Sequence, residues 1–97
     1  MVVGLITWEL HLDGCRSLKE KRHVLKSLKD RLHNRFNVSV AEVEHHDLWQ
    51  RATIAVSAVA GETFQARKVM HEVERFVERH PGVETIDAQL TLHSPDD

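Results

Sequence analysis

The chain is 97 residues long, 41% hydrophobic and 29% charged, with a formal net charge of −2. That length suits one domain, 1–97, with a single core, and that composition excludes extended disorder. A lone cysteine, Cys15, excludes an internal disulfide framework and suits a reducing, cytoplasmic setting.

From Val2 to Leu12, Val2, Ile6, Trp8, Leu10 and Leu12 share one parity, while Thr7, Glu9 and His11 share the other, the alternation of a half-buried strand. Val3 and Leu5 make its first half apolar on both faces, as expected for a central strand. The apolar opening has no basic flank and is broken by Glu9 and His11, so it reads as a strand rather than a signal peptide or membrane span. Asp13-Gly14-Cys15-Arg16 is a turn. Ser17 followed three residues later by Glu20 is a capping-box pattern that opens a helix to about Phe36.

Charge concentrates in this helix. Eight of the 13 Lys and Arg residues fall between Arg16 and Arg35 against Glu20 and Asp30 alone, which gives this segment +6 and the remainder −8. At about 100° per residue, Leu18, Leu25, Leu28, Leu32 and Phe36 share an apolar arc. Lys19, Arg22, Lys26, Lys29 and His33 recur at three- and four-residue steps as a cationic stripe beside it. Lys21 falls among the apolar positions.

Asn37 to Glu44 reads as a second strand, with a parity shift between Val40 and Ala41 that a bulge or two covered faces would explain. A short link, His45 to Gln50, leads to a third strand over Arg51 to Ala60 and so to a hairpin. Gly61 and Thr63 precede a second helix to about His80, with Ala66, Val69, Met70, Val73, Phe76 and Val77 on one face and Pro81-Gly82 as its stop. Its Arg67, Lys68, Arg75 and Arg79 are balanced by Glu62, Glu72, Glu74 and Glu78, so the net basic character belongs to the first helix. The last strand, Val83 to His93, is expected to turn Ile86, Ala88, Leu90 and Leu92 inward. Ser94 to Asp97 reads as a frayed tail.

The order βαββαβ predicts a ferredoxin-like α+β domain, a four-stranded antiparallel sheet in order 4-1-3-2 with both helices on one face. This topology gathers Lys21, Asp47, Trp49, Gln50 and Arg51 near the first helix N-terminus, a candidate anion or ligand site. The alternative is a structural ion-pair network in the same place.

Ser17-Leu18-Lys19-Glu20-Lys21-Arg22, then Phe36-Asn37-Val38-Ser39-Val40 with Ala41-Glu42, then Asp47 and Trp49-Gln50-Arg51 resemble the YlxP-like family of small bacterial proteins of unknown function. The resemblance implies a ferredoxin-like domain and a gene often found among translation and ribosome-maturation genes. It brings no catalytic residues with it.

The chemistry points to binding more than to catalysis. His45-His46-Asp47 is the one dense histidine cluster, but no second His or Cys pair stands at zinc spacing, so no metal or cofactor is expected and the histidines read as solvated. Cys15 beside Arg16 near a helix N-terminus could carry a lowered pKa, yet no base is placed against it. A glycine-rich phosphate loop is absent. The stripe Lys19, Arg22, Lys26, Lys29 and His33 can follow a phosphate backbone, so RNA or a ribosomal particle is the expected partner, contacted through the first helix. The open sheet face carries no aromatic for base stacking. Its Val3, Leu5, Ala55 and Val59 suggest the alternative, a homodimeric interaction module pairing through that face.

Overall fold

The computed structural model describes residues 1–95 and runs β1 (Val2–His11), α1 (Leu18–Arg35), β2 (Ser39–Glu44), β3 (Arg51–Ala60), α2 (Thr63–Glu78) and β4 (Glu84–His93). The strands form one antiparallel sheet in the order β2-β3-β1-β4, which is the expected 4-1-3-2 read from its other edge. Among the described residues no helix is long and apolar enough to cross a membrane.

The central strand sets the layers. Val2, Gly4, Ile6, Trp8 and Leu10 are buried while the residues between them are half-buried or exposed, so one parity of β1 faces the helices. Its partners Ile54, Val56 and Ala58 on β3 continue that face. From α1, Leu25, Leu28 and Leu32 close over it, and from α2 Met70, Val73 and Val77 do so. Burying each such side chain stabilises the fold by about 1.5–3 kcal/mol. Helix α1 begins where the side chain of Ser17 accepts from Glu20 N–H at 3.1 Å. The Glu20 carboxylate reaches back to Arg16 N–H at 2.6 Å, one residue earlier than a standard capping box.

Two strands depart from simple alternation. On β2 the pairing passes from Glu42↔Ile54 to Glu44↔Thr53, so the irregularity falls at Val43 and not between Val40 and Ala41. Val40 and Glu42 therefore share the helix-facing side, Glu44 joins the open side, and Val43 is left 46% exposed. On β4 the register shifts between Asp87, opposite Glu9, and Thr85, opposite Leu10. The expectation that Ile86 points inward is thereby corrected: Ile86 is the extra residue, 53% exposed, and Thr85 takes the inward place with its hydroxyl buried. Alternation alone cannot reveal this, because a Thr-Ile pair fits either parity.

Gly4 permits the close seat of α2. A Cβ there would lie 2.6 Å from Met70 Cγ and 3.0 Å from Met70 Sδ. Gly4→Ala should therefore destabilise the protein by about 1–3 kcal/mol through overpacking. Urea denaturation would measure this, and adding Met70→Ala should cost less than the two single changes combined.

Candidate functional site

The first turn of α1 places a charge where the helix needs an apolar residue. Lys21 sits one turn before Leu25 on the buried stripe and is 1% exposed. Its ammonium is held by the inward-turned Glu42, whose Oε2 lies 2.8 Å away, and it donates to the carbonyl of His45 at 2.5 Å. The Glu42 oxygen stands outside hydrogen-bond angles, so that contact is chiefly Coulombic. Together these contacts lock α1 to the end of the edge strand.

His45 links the two faces of the sheet. Its backbone has φ 62°, a left-handed conformation uncommon for a side-chain-bearing residue. Its carbonyl meets Lys21, and its Nε2 lies 3.4 Å from Glu9 Oε1 on the open face. Glu9 also accepts from the Thr53 hydroxyl at 2.7 Å and lies 3.6 Å from Arg51 Nη2. The Thr53 hydrogen bond, outweighing a smaller opposing effect of burial and aided by His45 and Arg51, holds the Glu9 carboxyl below its ordinary value. Glu9, Glu44 and His45 bring three potential ligand atoms within 4.8 Å of one another. Arg51 already supplies Glu9 with positive charge there. Of the two loop histidines expected to be solvated, His46 is exposed, with its Nε2 3.0 Å from the Glu42 carbonyl oxygen, whereas His45 is half-buried with its ring against Glu9.

Of Lys21, Asp47, Trp49, Gln50 and Arg51, the last four line one hollow at the hairpin loop together with Leu48, and Lys21 lies apart from it. Lys21 is committed beneath α1, whereas Arg51 serves Glu9 on the open face. Gln50 is a clasp: its Nε2 donates to the carbonyls of Asp13 and Cys15 at 3.3 and 3.1 Å, and its own carbonyl accepts from Leu12 N–H. Asp47 and Trp49 are exposed. Cys15 is buried, and burial, then Glu20, push its thiol pKa up, opposite to the lowered value its place near a helix N-terminus suggested.

The cationic stripe is present as drawn. Lys19, Arg22, Lys26 and His33 are exposed, and Lys29 is half-buried. Lys26 pairs with Asp30 at 2.7 Å, and Glu42 borders the same groove.

The other flank of α1 carries a second cationic surface that the sequence concealed. Arg31 and Arg35 face α2, where Arg75 and Arg79 join them around a groove of about 430 Å³ also lined by Phe36, Phe76, Glu72 and His80. Phe36 and Phe76 meet edge to face at 5.8 Å. The Arg31 guanidinium lies 5.2 Å from the Phe76 ring centre, and that of Arg35 lies 5.7 Å from Phe76 and 5.9 Å from Phe36. Arg31 Nη1 also reaches Nδ1 of the buried His80 at 3.3 Å. Since arginine only donates, His80 Nδ1 is the acceptor and its proton sits on Nε2. Desolvation, then the Arg31 charge, keep this imidazole neutral and its pKa low. Counting charges along α2 hid the groove, because its glutamates balance its basic residues only when the whole helix is averaged. The recoverable signal was the pairing of Arg31 and Arg35 with Arg75 and Arg79, each pair at i, i+4 beside a phenylalanine.

Residues 3–90 match the family model described as a protein of unknown function, DUF503. The chain belongs to the DUF503 family. The chain is 36% identical over 83 residues to the uncharacterized protein YlxP of Bacillus subtilis strain 168, covering 86% of this chain and 90% of that one. Its fold is similar to that of the de novo designed protein Foldit4, with a TM-score of 0.53 at 9% identity over 97% of this chain and 98% of the design. That likeness concerns the DUF503 fold alone.

Removing one partner of the buried pair should be costly: Lys21→Ala leaves Glu42 without its cation and is expected to lower stability by about 3–5 kcal/mol. Lys21→Met with Glu42→Leu should recover most of it, as read from thermal melts. Acid should act in two windows. His80 has a folded pKa below its ordinary 6.5, so its contribution is present above that value and declines as pH falls below it. Glu9 contributes above its ordinary 4.5, and that contribution is lost as pH falls through the lowered folded value. Urea midpoints from pH 8 to pH 3 check this, with His80→Gln flattening the upper window.

Proposed function

We propose that this protein is a non-enzymatic cytoplasmic domain that binds RNA or a ribosomal particle through α1. The observation that carries the reading is the exposed row Lys19, Arg22, Lys26 and His33, with Lys29 at its inner margin, along an 18-residue helix. Such a row tracks a phosphate backbone, and each neutralised phosphate releases counterions, so affinity falls steeply with salt. The Lys26–Asp30 pair is an obstacle of small size, because its side chains are 75% and 56% exposed and such pairs contribute little. The open sheet supports binding less well: its polar end is occupied by Glu9, Thr53, His45 and Arg51 contacts.

The test is co-sedimentation with ribosomal subunits. The wild-type protein should travel with them at low salt and leave at high salt, and the combined change of Lys19, Arg22, Lys26 and Lys29 to Gln should abolish association. Equal sedimentation of the two proteins, or none from the start, would reduce the stripe to a solvated face.

A second reading, homodimerisation through the open sheet, is favoured by Leu5 at 39% and Val59 at 70% exposure, with Val3 directly opposite Val59 in the β1–β3 register. Light scattering decides it, since a particle of 11.2 kDa at high concentration is a monomer.

A further inference from the structure

We infer that the groove between α1 and α2, walled by Arg31, Arg35, Arg75 and Arg79, is a binding site for phosphoryl groups. Four observations support this. The groove's wall contains four guanidiniums and one carboxylate, Glu72, and none of the four arginines forms an ion pair within 4.0 Å among the described residues. Arg16, Arg22 and Arg67 also lack an ion pair among the described residues, so what sets these four arginines apart is that they line one groove together. A set of like charges left together is stable only against an anion or open water, and the groove's volume of about 430 Å³ falls in the range of ligand sites.

The second observation concerns order. Arg31 and Arg35 lie within cation–π range of the same Phe76 ring, and Phe76 is held by Phe36. Stacking of this kind limits the rotamers of long side chains and leaves their N–H edges free to donate. Guanidinium forks match phosphate oxygens in pairs, which separates this surface from the lysines of the stripe, which act as point charges.

The third is His80. It is 6% exposed, and its Nδ1 fixes Arg31 from below without adding a second positive charge. The fourth is placement. Arg31 and Arg35 lie on the flank of α1 that faces α2, whereas Lys29 and its neighbours border Glu42 on β2. The two cationic surfaces are separate, so the groove extends the RNA reading without depending on it. The phosphoryl groups can belong to an RNA strand or to a free nucleotide, and both sources present the same oxygens to the forks.

The experiment compares three probes on the full chain at low salt: fluorescein-labelled oligouridylate by anisotropy, and adenosine triphosphate and inorganic tripolyphosphate by calorimetry. Three proteins are used: wild type, Arg75→Gln with Arg79→Gln, and the Gln-substituted stripe variant. The α2 changes are at exposed positions outside the stripe, and unchanged thermal melting confirms that the fold persists. Wild type should bind at least one probe, the α2 variant should bind it at least about tenfold more weakly, and its salt slope on the oligonucleotide should fall by about 0.7 per lost contact. Tripolyphosphate binding should survive in the stripe variant, and the His80 ring resonances of wild type should shift on its addition. Binding of the oligonucleotide alone assigns the site to a polymer backbone; comparable binding of adenosine triphosphate assigns it to free nucleotides. The inference is overturned if no probe binds wild type, or if the α2 variant binds as wild type does. Oligonucleotide binding lost in the stripe variant but intact in the α2 variant would leave the α1 reading standing and remove this one.

Discussion

The arrangement depends on a lysine ammonium buried under the first turn of α1. Lys21 can occupy a core position only because β2 turns Glu42 inward to meet it and His45 bends back to offer a carbonyl. The Val43 irregularity is what allows both: it lets Glu42 face the helices and Glu44 face away within two residues. Burial of a lone ammonium would cost several kcal/mol, so helix, bulge and left-handed His45 form one unit. Because His45 also touches Glu9, the same unit couples the helix side of the sheet to its open side.

The fold was legible in the sequence because its signals are local and mutually consistent. Period-two alternation on β1 and β3, the Ser17–Glu20 cap and the Pro81-Gly82 stop each point to the same βαββαβ order. Strand irregularities were less legible. A bulge changes which neighbour a residue meets without changing composition, so Ile86 reads as core by its chemistry and lies outside by its register. The site was legible in part. Lys21 stood out as misplaced on a helical wheel, yet its acid partner is 21 positions away on a strand whose parity was ambiguous. The arginine groove joins residues 31–36 to residues 72–80, and no local pattern reports a distance between two helices.

Charge in this protein is organised by surface more than by segment. The buried stripe of α1 separates two positive flanks: lysines beside β2, within reach of Asp30 and Glu42, and arginines beside α2, stacked on aromatic rings. The first flank is partly compensated by the Lys26–Asp30 pair. On the second, Glu72 borders the groove, but none of the four arginines forms an ion pair among the described residues. A net charge of −2 conceals both, and the sheet's open face carries a third, compensated cluster in which Glu9 is the common acceptor.

The Val43 irregularity has a further effect at the rim of the sheet. Strand β2 is an edge, and a flat edge is a template on which another chain can add. Here the edge carries an inward carboxylate, a bulge near its end and only six residues, Ser39–Glu44. The same displacement that seats Lys21 therefore interrupts the row of backbone groups that a foreign strand would need, guarding the chain against self-association by strand addition.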